Sequence, residues 1–263
     1  GFRGPDGELD QAVGAGLGVS TARPALLPPP SAEQATEVLR TWNAITLDSR
    51  MLVVIDVSGS MDGAAGNGQS RIQLARDASL AALGLFPDST SIGLWAFSTA
   101  GSIASGTGAS PPEAWIELVP VGPLSQRLGN RSRRDALVAA ARALPNRTGG
   151  GTALNDTVLA AFREMRASYE PGKVNSVVLM TDGRNEGPDS IGTATLIRTL
   201  QDEIAPATPV PIIAIGLGPD VDFEALRELA AATEGKAYLA RNPADMRHVL
   251  LDALIQRQCR PHC

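Results

Sequence analysis

Met51-Leu52-Val53-Val54-Ile55-Asp56-Val57-Ser58-Gly59-Ser60-Met61 is a short apolar strand that runs into one carboxylate and two hydroxyls. Alternation along Asp56, Ser58 and Ser60 leaves three oxygen-bearing side chains on one side of the chain, and Gly59 lets the backbone turn tightly at the strand's end. Carboxylate and hydroxyl oxygens suit Mg²⁺, Ca²⁺ or Mn²⁺ rather than zinc or copper. Asp-x-Ser-x-Ser also has a plain structural reading, because Asp and Ser cap helix N-termini. The stretch gains its meaning from two segments further down the chain.

Gly149-Gly150-Gly151-Thr152-Ala153-Leu154 places one hydroxyl after a glycine run, and Val177-Val178-Leu179-Met180-Thr181-Asp182-Gly183 ends a second apolar strand in an aspartate. Together they complete a five-oxygen set: Asp56, Ser58, Ser60, Thr152 and Asp182. In these residues and their order the chain resembles the von Willebrand factor A-type domain, whose metal-ion-dependent adhesion site (MIDAS) reads Asp-x-Ser-x-Ser, then Thr, then Asp. The resemblance implies that Ser58, Ser60 and Thr152 bind one divalent cation directly, Mg²⁺ being expected and Mn²⁺ or Ca²⁺ the alternatives. Asp56 and Asp182 then hold coordinated waters or exchange between direct and water-mediated contact. Mostly neutral ligands leave the cation electrophilic toward an Asp or Glu carried by a protein partner. Asp62 and Asp156 are candidates for second-rank acceptors or rim charges, with capping or solvated roles as their plainer reading.

Other chemistries find less support. An aspartyl-nucleophile phosphatase needs a second aspartate where Ser58 stands. The glycine run before Thr152 lacks the lysine of a phosphate loop, no Gly-x-Gly-x-x-Gly follows the first strand, and there is no Gly-x-Ser-x-Gly elbow. The two histidines, His248 and His262, lie far in chain order from the oxygen set. The expectation is a binding module, neither an enzyme nor a nucleotide binder. A net charge of −5 argues against general attraction to nucleic acid, and Arg131-Ser132-Arg133-Arg134 reads as a solvated helix start. No stretch approaches the roughly 18 to 20 continuous apolar residues of a membrane span.

The order of elements predicts an α/β fold: a doubly wound, mostly parallel sheet with helices on both faces and a short antiparallel edge strand. Strands are expected at 51–57, 91–97, 174–181, 210–215 and 236–239, with the edge strand at 114–119. Helices are expected at about 31–44, 71–85, 132–144, 154–169, 195–204, 223–233 and 243–258, the first opened by a Ser31/Gln34 capping box. Val174 to Thr181 has the continuous apolar character of a strand buried on both faces. Ligands of such sheets bind beyond the strands' carboxyl ends, where Asp56, Thr152 and Asp182 all fall.

Residues 1–30, with three glycines between Gly14 and Gly18 and the Pro28-Pro29-Pro30 spacer, read as a linker or remnant of an upstream domain, or alternatively as an unstructured leader. Residues 31–258 form the expected A-type domain and 259–263 a terminal cysteine clasp. Gly1 stands where a new chain has methionine, so a processed chain is expected. Cys259 and Cys263 suggest a local disulfide and an extracytoplasmic compartment; two free cytosolic thiols are the alternative, and zinc held by Cys259, His262 and Cys263 lacks a fourth ligand. Phe2-Arg3-Gly4-Pro5-Asp6-Gly7 and the paired cysteines are similar to segments of bacterial extracytoplasmic proteins in which an A-type domain follows a solute-binding-like domain. Two further readings stay open: a metal site that only braces loops, and an accessory subunit like the A-type domains of chelatase complexes.

Overall fold

The computed structural model describes residues 31–32, 34–35, 48–66, 68–99, 114–183, 185–186, 190–219, 221–240 and 245. The linker, the body of the 31–44 helix, all of the 243–258 helix but Asp245, both histidines and the Cys259/Cys263 pair lie outside them. Ser31 and Gln34 form the expected reciprocal cap, Ser31 N donating to Gln34 Oε1 at 2.9 Å and Gln34 N to Ser31 Oγ at 3.1 Å.

Six strands form the central sheet: β1 (Ser49–Asp56), β2 (Ser91–Phe97), β3 (Trp115–Val119), β4 (Val174–Thr181), β5 (Ile212–Leu217) and β6 (Lys236–Ala240). Their order is β6-β5-β4-β1-β2-β3, parallel throughout except for β3, which runs antiparallel along the edge. Period-2 alternation sorts β1 between two cores. Met51, Ile55 and Val57 join one with α1 (Arg71–Leu83) and α2 (Arg133–Ala143); Leu52 and Val54 join the other with α3 (Leu154–Ala167), α4 (Thr193–Glu203) and α5 (Phe223–Ala231). β4 is buried along nearly its whole length: Val177 to Met180 form its apolar centre, and the polar Asn175, Ser176 and Thr181 are buried with them. Each large side chain fully withdrawn from water there contributes about 1.5–3 kcal/mol.

Three of the helices, α1, α2 and α5, begin where the sequence offers caps. Ser70 with Gln73 and Ser132 with Asp135 make complete capping boxes for α1 and α2, and Asp222 Oδ1 accepts from Ala225 N at the start of α5. The short strand near 210 begins two residues late, at Ile212, because Pro211 has no N–H for the ladder. The reading of Arg131 to Arg134 as a solvated helix start is corrected. Arg133 is buried and donates to Pro120 O and to Gln126 Oε1, while Arg134 donates to the terminal carbonyls of Leu83 at 2.5 Å and Phe86 at 2.8 Å. Arg134 thus bonds α2 to the end of α1 and the turn after it, and Arg133 bonds α2 to the segment after β3, contacts that composition alone does not reveal.

The chain leaves β1 toward β2 and β3 on one side, then returns to build β4, β5 and β6 on the other. The strand order therefore reverses between β1 and β4. The crevice of a doubly wound sheet opens at that reversal, beyond the carboxyl ends of the two strands.

Candidate metal centre

Asp56 closes β1 and Asp182 follows the last residue of β4, so the two aspartates flank this crevice from neighbouring strands. Asp56, Ser58, Thr152 and Asp182 are buried, whereas Ser60 reaches the surface. A continuous chain of bonds joins the first loop to the third. Ser58 N donates to Asp56 Oδ1 at 2.8 Å, and Ser60 Oγ donates to Asp182 Oδ1 at 2.8 Å. Ser58 Oγ lies 3.0 Å from Ser60 Oγ and, since Ser60's single proton is committed to Asp182, acts as the donor between them. Both hydroxyls keep lone pairs for a cation.

Thr152 arrives on the glycine loop. Gly149 N donates to Val57 O at 2.8 Å and Gly59 N to Gly150 O at 2.9 Å, which lays this loop against the first one. Gly150 has a φ of 73°, the left-handed conformation that favours glycine. The Thr152 hydroxyl sits beside Gly183, where any Cβ would stand 3.0 Å from Thr152 Oγ1. The structure thus brings all five predicted residues to one end of the sheet.

Three positioning residues escaped the sequence reading. Thr181 Oγ1 donates to Asp56 Oδ2 at 2.5 Å and accepts from Gly183 N at 3.2 Å, fixing the buried carboxylate and the Asp182-Gly183 turn together. Ser98, fully buried after β2, bonds to Gly151 O at 2.9 Å and to Gly149 O. Arg71, the first residue of α1, forms an ion pair with Asp182 Oδ2. Asp62 and Asp156 serve as loop ties: Asp62 Oδ2 accepts from Thr148 Oγ1 at 3.0 Å, and Asp156 Oδ1 from Ile191 N at 3.4 Å.

Burial pushes the Asp56 carboxyl up to about 6, above its usual range near 3.8. The bonds from Ser58 and Thr181 pull it down by less, and the negative charge of Asp182 adds to the rise. Among the described residues, two buried carboxylates served by hydroxyls and a single guanidinium carry unspent negative charge, the electrostatic condition in which a divalent cation is welcome. Among the described residues no group of three or more His, Cys, Asp or Glu side chains is placed to hold a metal, so this site would rely on hydroxyl oxygen.

The model of the von Willebrand factor type A domain matches residues 51–251. The chain belongs to the von Willebrand factor type A family. An uncharacterized protein of Mycobacterium tuberculosis, found in two strains, is 30% identical over 196 residues, which cover 74% of this chain and 26% of that protein. The chain therefore spans about a quarter of the length of these relatives. Among solved structures, a von Willebrand factor type A protein from Catenulispora acidiphila superposes with a TM-score of 0.59 at 22% identity, covering 81% of this chain and 43% of the other. Proximal thread matrix protein 1 from mussel byssus, solved with a zinc-occupied MIDAS motif, gives 0.55 at 17% identity over 79% of this chain and 47% of its own. The pilus adhesin SpaC of Lactobacillus rhamnosus GG also gives 0.55 at 17%, covering 81% of this chain and 31% of that one. At such identities the three structures establish the fold, which agrees with the type A architecture of one mostly parallel sheet between helices.

Proposed function

We propose that this type A domain captures a protein partner through a divalent cation held by Asp56, Ser58, Ser60, Thr152 and Asp182, with a partner Asp or Glu completing the coordination shell. The observation that carries this reading is the convergence of the five oxygen-bearing side chains from three loops at the point where strand order reverses. Three of the five are neutral hydroxyls, so a bound cation keeps much of its charge for an incoming carboxylate. Mg²⁺ is the ion proposed, with Mn²⁺ or Ca²⁺ able to substitute. The zinc-occupied motif of the byssus protein and the adhesin relationship of the fold lend support to metal-dependent, non-enzymatic recognition at a surface outside the cytoplasm. None of the described helices is long and apolar enough to cross a membrane.

A site that merely braces loops fits less well, because direct bonds already tie those loops together: Ser60 to Asp182, Gly59 to Gly150 and Thr148 to Asp62. The proposed architecture has a linker at 1–30, the domain at 31–258 and a joined Cys259/Cys263 pair at the end. Calorimetric titration of Mg²⁺ and Mn²⁺ into chelator-treated protein tests the site. One cation per chain is expected for the wild type and none for Asp56→Ala. Equal uptake by both proteins refutes the assignment.

A further inference from the structure

Arg71 stands where helix electrostatics argues against it. As the first residue of α1 it puts a cation at the positive end of the helix dipole, and no acidic residue in that first turn offsets it. Its side chain is 11% exposed and runs to Asp182, whose side chain is fully enclosed. The path is built for it. A Cβ on Gly218, which has a φ of 94°, would meet Arg71 Nε at 2.8 Å, and one on Gly63 would lie 3.5 Å from the guanidinium carbon. Two positions without side chains therefore wall the slot through which the guanidinium reaches the aspartate.

The two oxygens of Asp182 are divided between partners. Oδ1 accepts from Ser60, on the side of the hydroxyl cluster, and Oδ2 meets Arg71 on the other. Arg71 can thus keep its ion pair while a cation occupies the hydroxyl side. We infer that Arg71 is a specificity-determining residue of the proposed cation site: its fixed positive charge weakens binding of the bare metal ion and strengthens capture of the carboxylate that follows. This rests on the function proposed above. The charge count explains the sign. Among the described groups bonded into the cluster, Asp56 and Asp182 bring −2 and Arg71 brings +1, so a divalent ion takes these groups to +1 and an arriving carboxylate takes them to neutrality. Without Arg71 the metal-loaded site is already neutral, and the carboxylate makes it negative. Metal and acidic ligand consequently favour each other, and the coupling is reciprocal.

The test uses Mn²⁺ as the metal and acetate as the carboxylate, with chloride at matched ionic strength as control, on wild type, Arg71→Met and Arg71→Lys. Mn²⁺ affinity is read by calorimetry and by the loss of the free-ion paramagnetic resonance signal. In chloride, Arg71→Met is expected to bind Mn²⁺ about tenfold more tightly than wild type, the scale of one unit charge acting across a partly desolvated site. Acetate should tighten Mn²⁺ binding by the wild type and by Arg71→Lys, which keeps the charge, and not by Arg71→Met. Should Arg71→Met fail to fold, the acetate effect on wild type and Arg71→Lys still decides, because its absence from both overturns the inference. Weaker Mn²⁺ binding by Arg71→Met, or an unchanged affinity with an unchanged acetate effect, also overturns it and leaves the metal assignment standing. No Mn²⁺ uptake by the wild type removes the proposed function and this inference together.

Discussion

Replacing Asp56 with Asn should stabilise the metal-free protein while abolishing its response to metal. Burial raises the Asp56 carboxyl from about 3.8 to about 6. The folded state therefore binds a proton more tightly than the unfolded chain, and the group's contribution declines as pH rises through about 6. A rise of about two pKa units corresponds to about 3 kcal/mol held against the fold at pH 7, where Asp56 must be ionised. Of this, about 1 kcal/mol should be recovered by the wild type on going from pH 7 to pH 5, a window above the ordinary range of the ion-paired carboxylates of Glu170 and Glu203, which are held lower. Asn is the neutral isostere, and its amide can still accept from Ser58 N and bond to Thr181 Oγ1. Urea denaturation in chelator at pH 5, 6 and 7 measures both effects. The wild type should weaken over this series, and Asp56→Asn should exceed it at pH 7 by up to about 3 kcal/mol. Added Mg²⁺ should then stabilise the wild type in proportion to the logarithm of its concentration and leave the variant unmoved. A wild type that strengthens from pH 5 to pH 7, together with an Asn variant no more stable at pH 7, would refute the burial argument.

Ser98→Ala should destabilise the protein by about 1–3 kcal/mol, read by thermal denaturation, because it strips a buried hydroxyl from the Gly149 and Gly151 carbonyls; Mn²⁺ affinity should fall with it as the Thr152 loop loosens. Gly235→Ala should cost more than 3 kcal/mol or prevent folding, since its Cβ would stand 1.9 Å from Ile212 O at the junction of β5 and β6; soluble yield and denaturant midpoint report it. Thr152→Ala, which removes a proposed ligand without changing charge, should abolish partner retention in a Mg²⁺ pull-down as fully as chelation does, and retention in all three conditions would place binding on another face. Alkylation of the protein under native, non-reducing conditions followed by intact-mass measurement should find Cys259 and Cys263 unmodified, whereas two alkylated thiols would exclude the disulfide.

Strand and helix positions were legible because burial imposes periodicity on local sequence. β4 shows this best: a strand buried on both faces keeps its centre, Val177 to Met180, apolar at every position. Asp56, Ser58 and Ser60 were legible as a set for the same reason, since three oxygen-bearing side chains at the end of an apolar strand break its pattern. Thr181, Ser98 and Arg71 were not. Thr181 reads as an ordinary β-branched strand residue until the register pairs Ile55 with Met180, which carries the next residues, Asp56 and Thr181, to the same level. Arg71 meets Asp182 across 111 residues of sequence, and Arg133 reaches the Pro120 carbonyl and the Gln126 side chain rather than water. Such partners are fixed by tertiary packing and leave no period in the chain. Elsewhere the differences were small, as with α1, which ends at Leu83 where a turn through Gly84 and exposed Leu85 begins.

The positions that resist a stability rationale coincide with the proposed site. A sheet selected for stability alone would place an apolar residue at 56, where burial without a cation holds a carboxylate against its preferred charge state. It would also keep a positive charge out of the first turn of α1. Each anomaly is offset by the other groups of the same cluster: Thr181 and Ser58 support Asp56, Arg71 supports Asp182, and Ser60 joins the two halves. Among the described residues the support remains incomplete in charge, since Arg71 pairs with Asp182 and Asp56 is held by neutral groups. A divalent cation and a carboxylate supplied by a partner bring that balance to zero, so the instability carried at Asp56 and the proposed recognition have one physical origin.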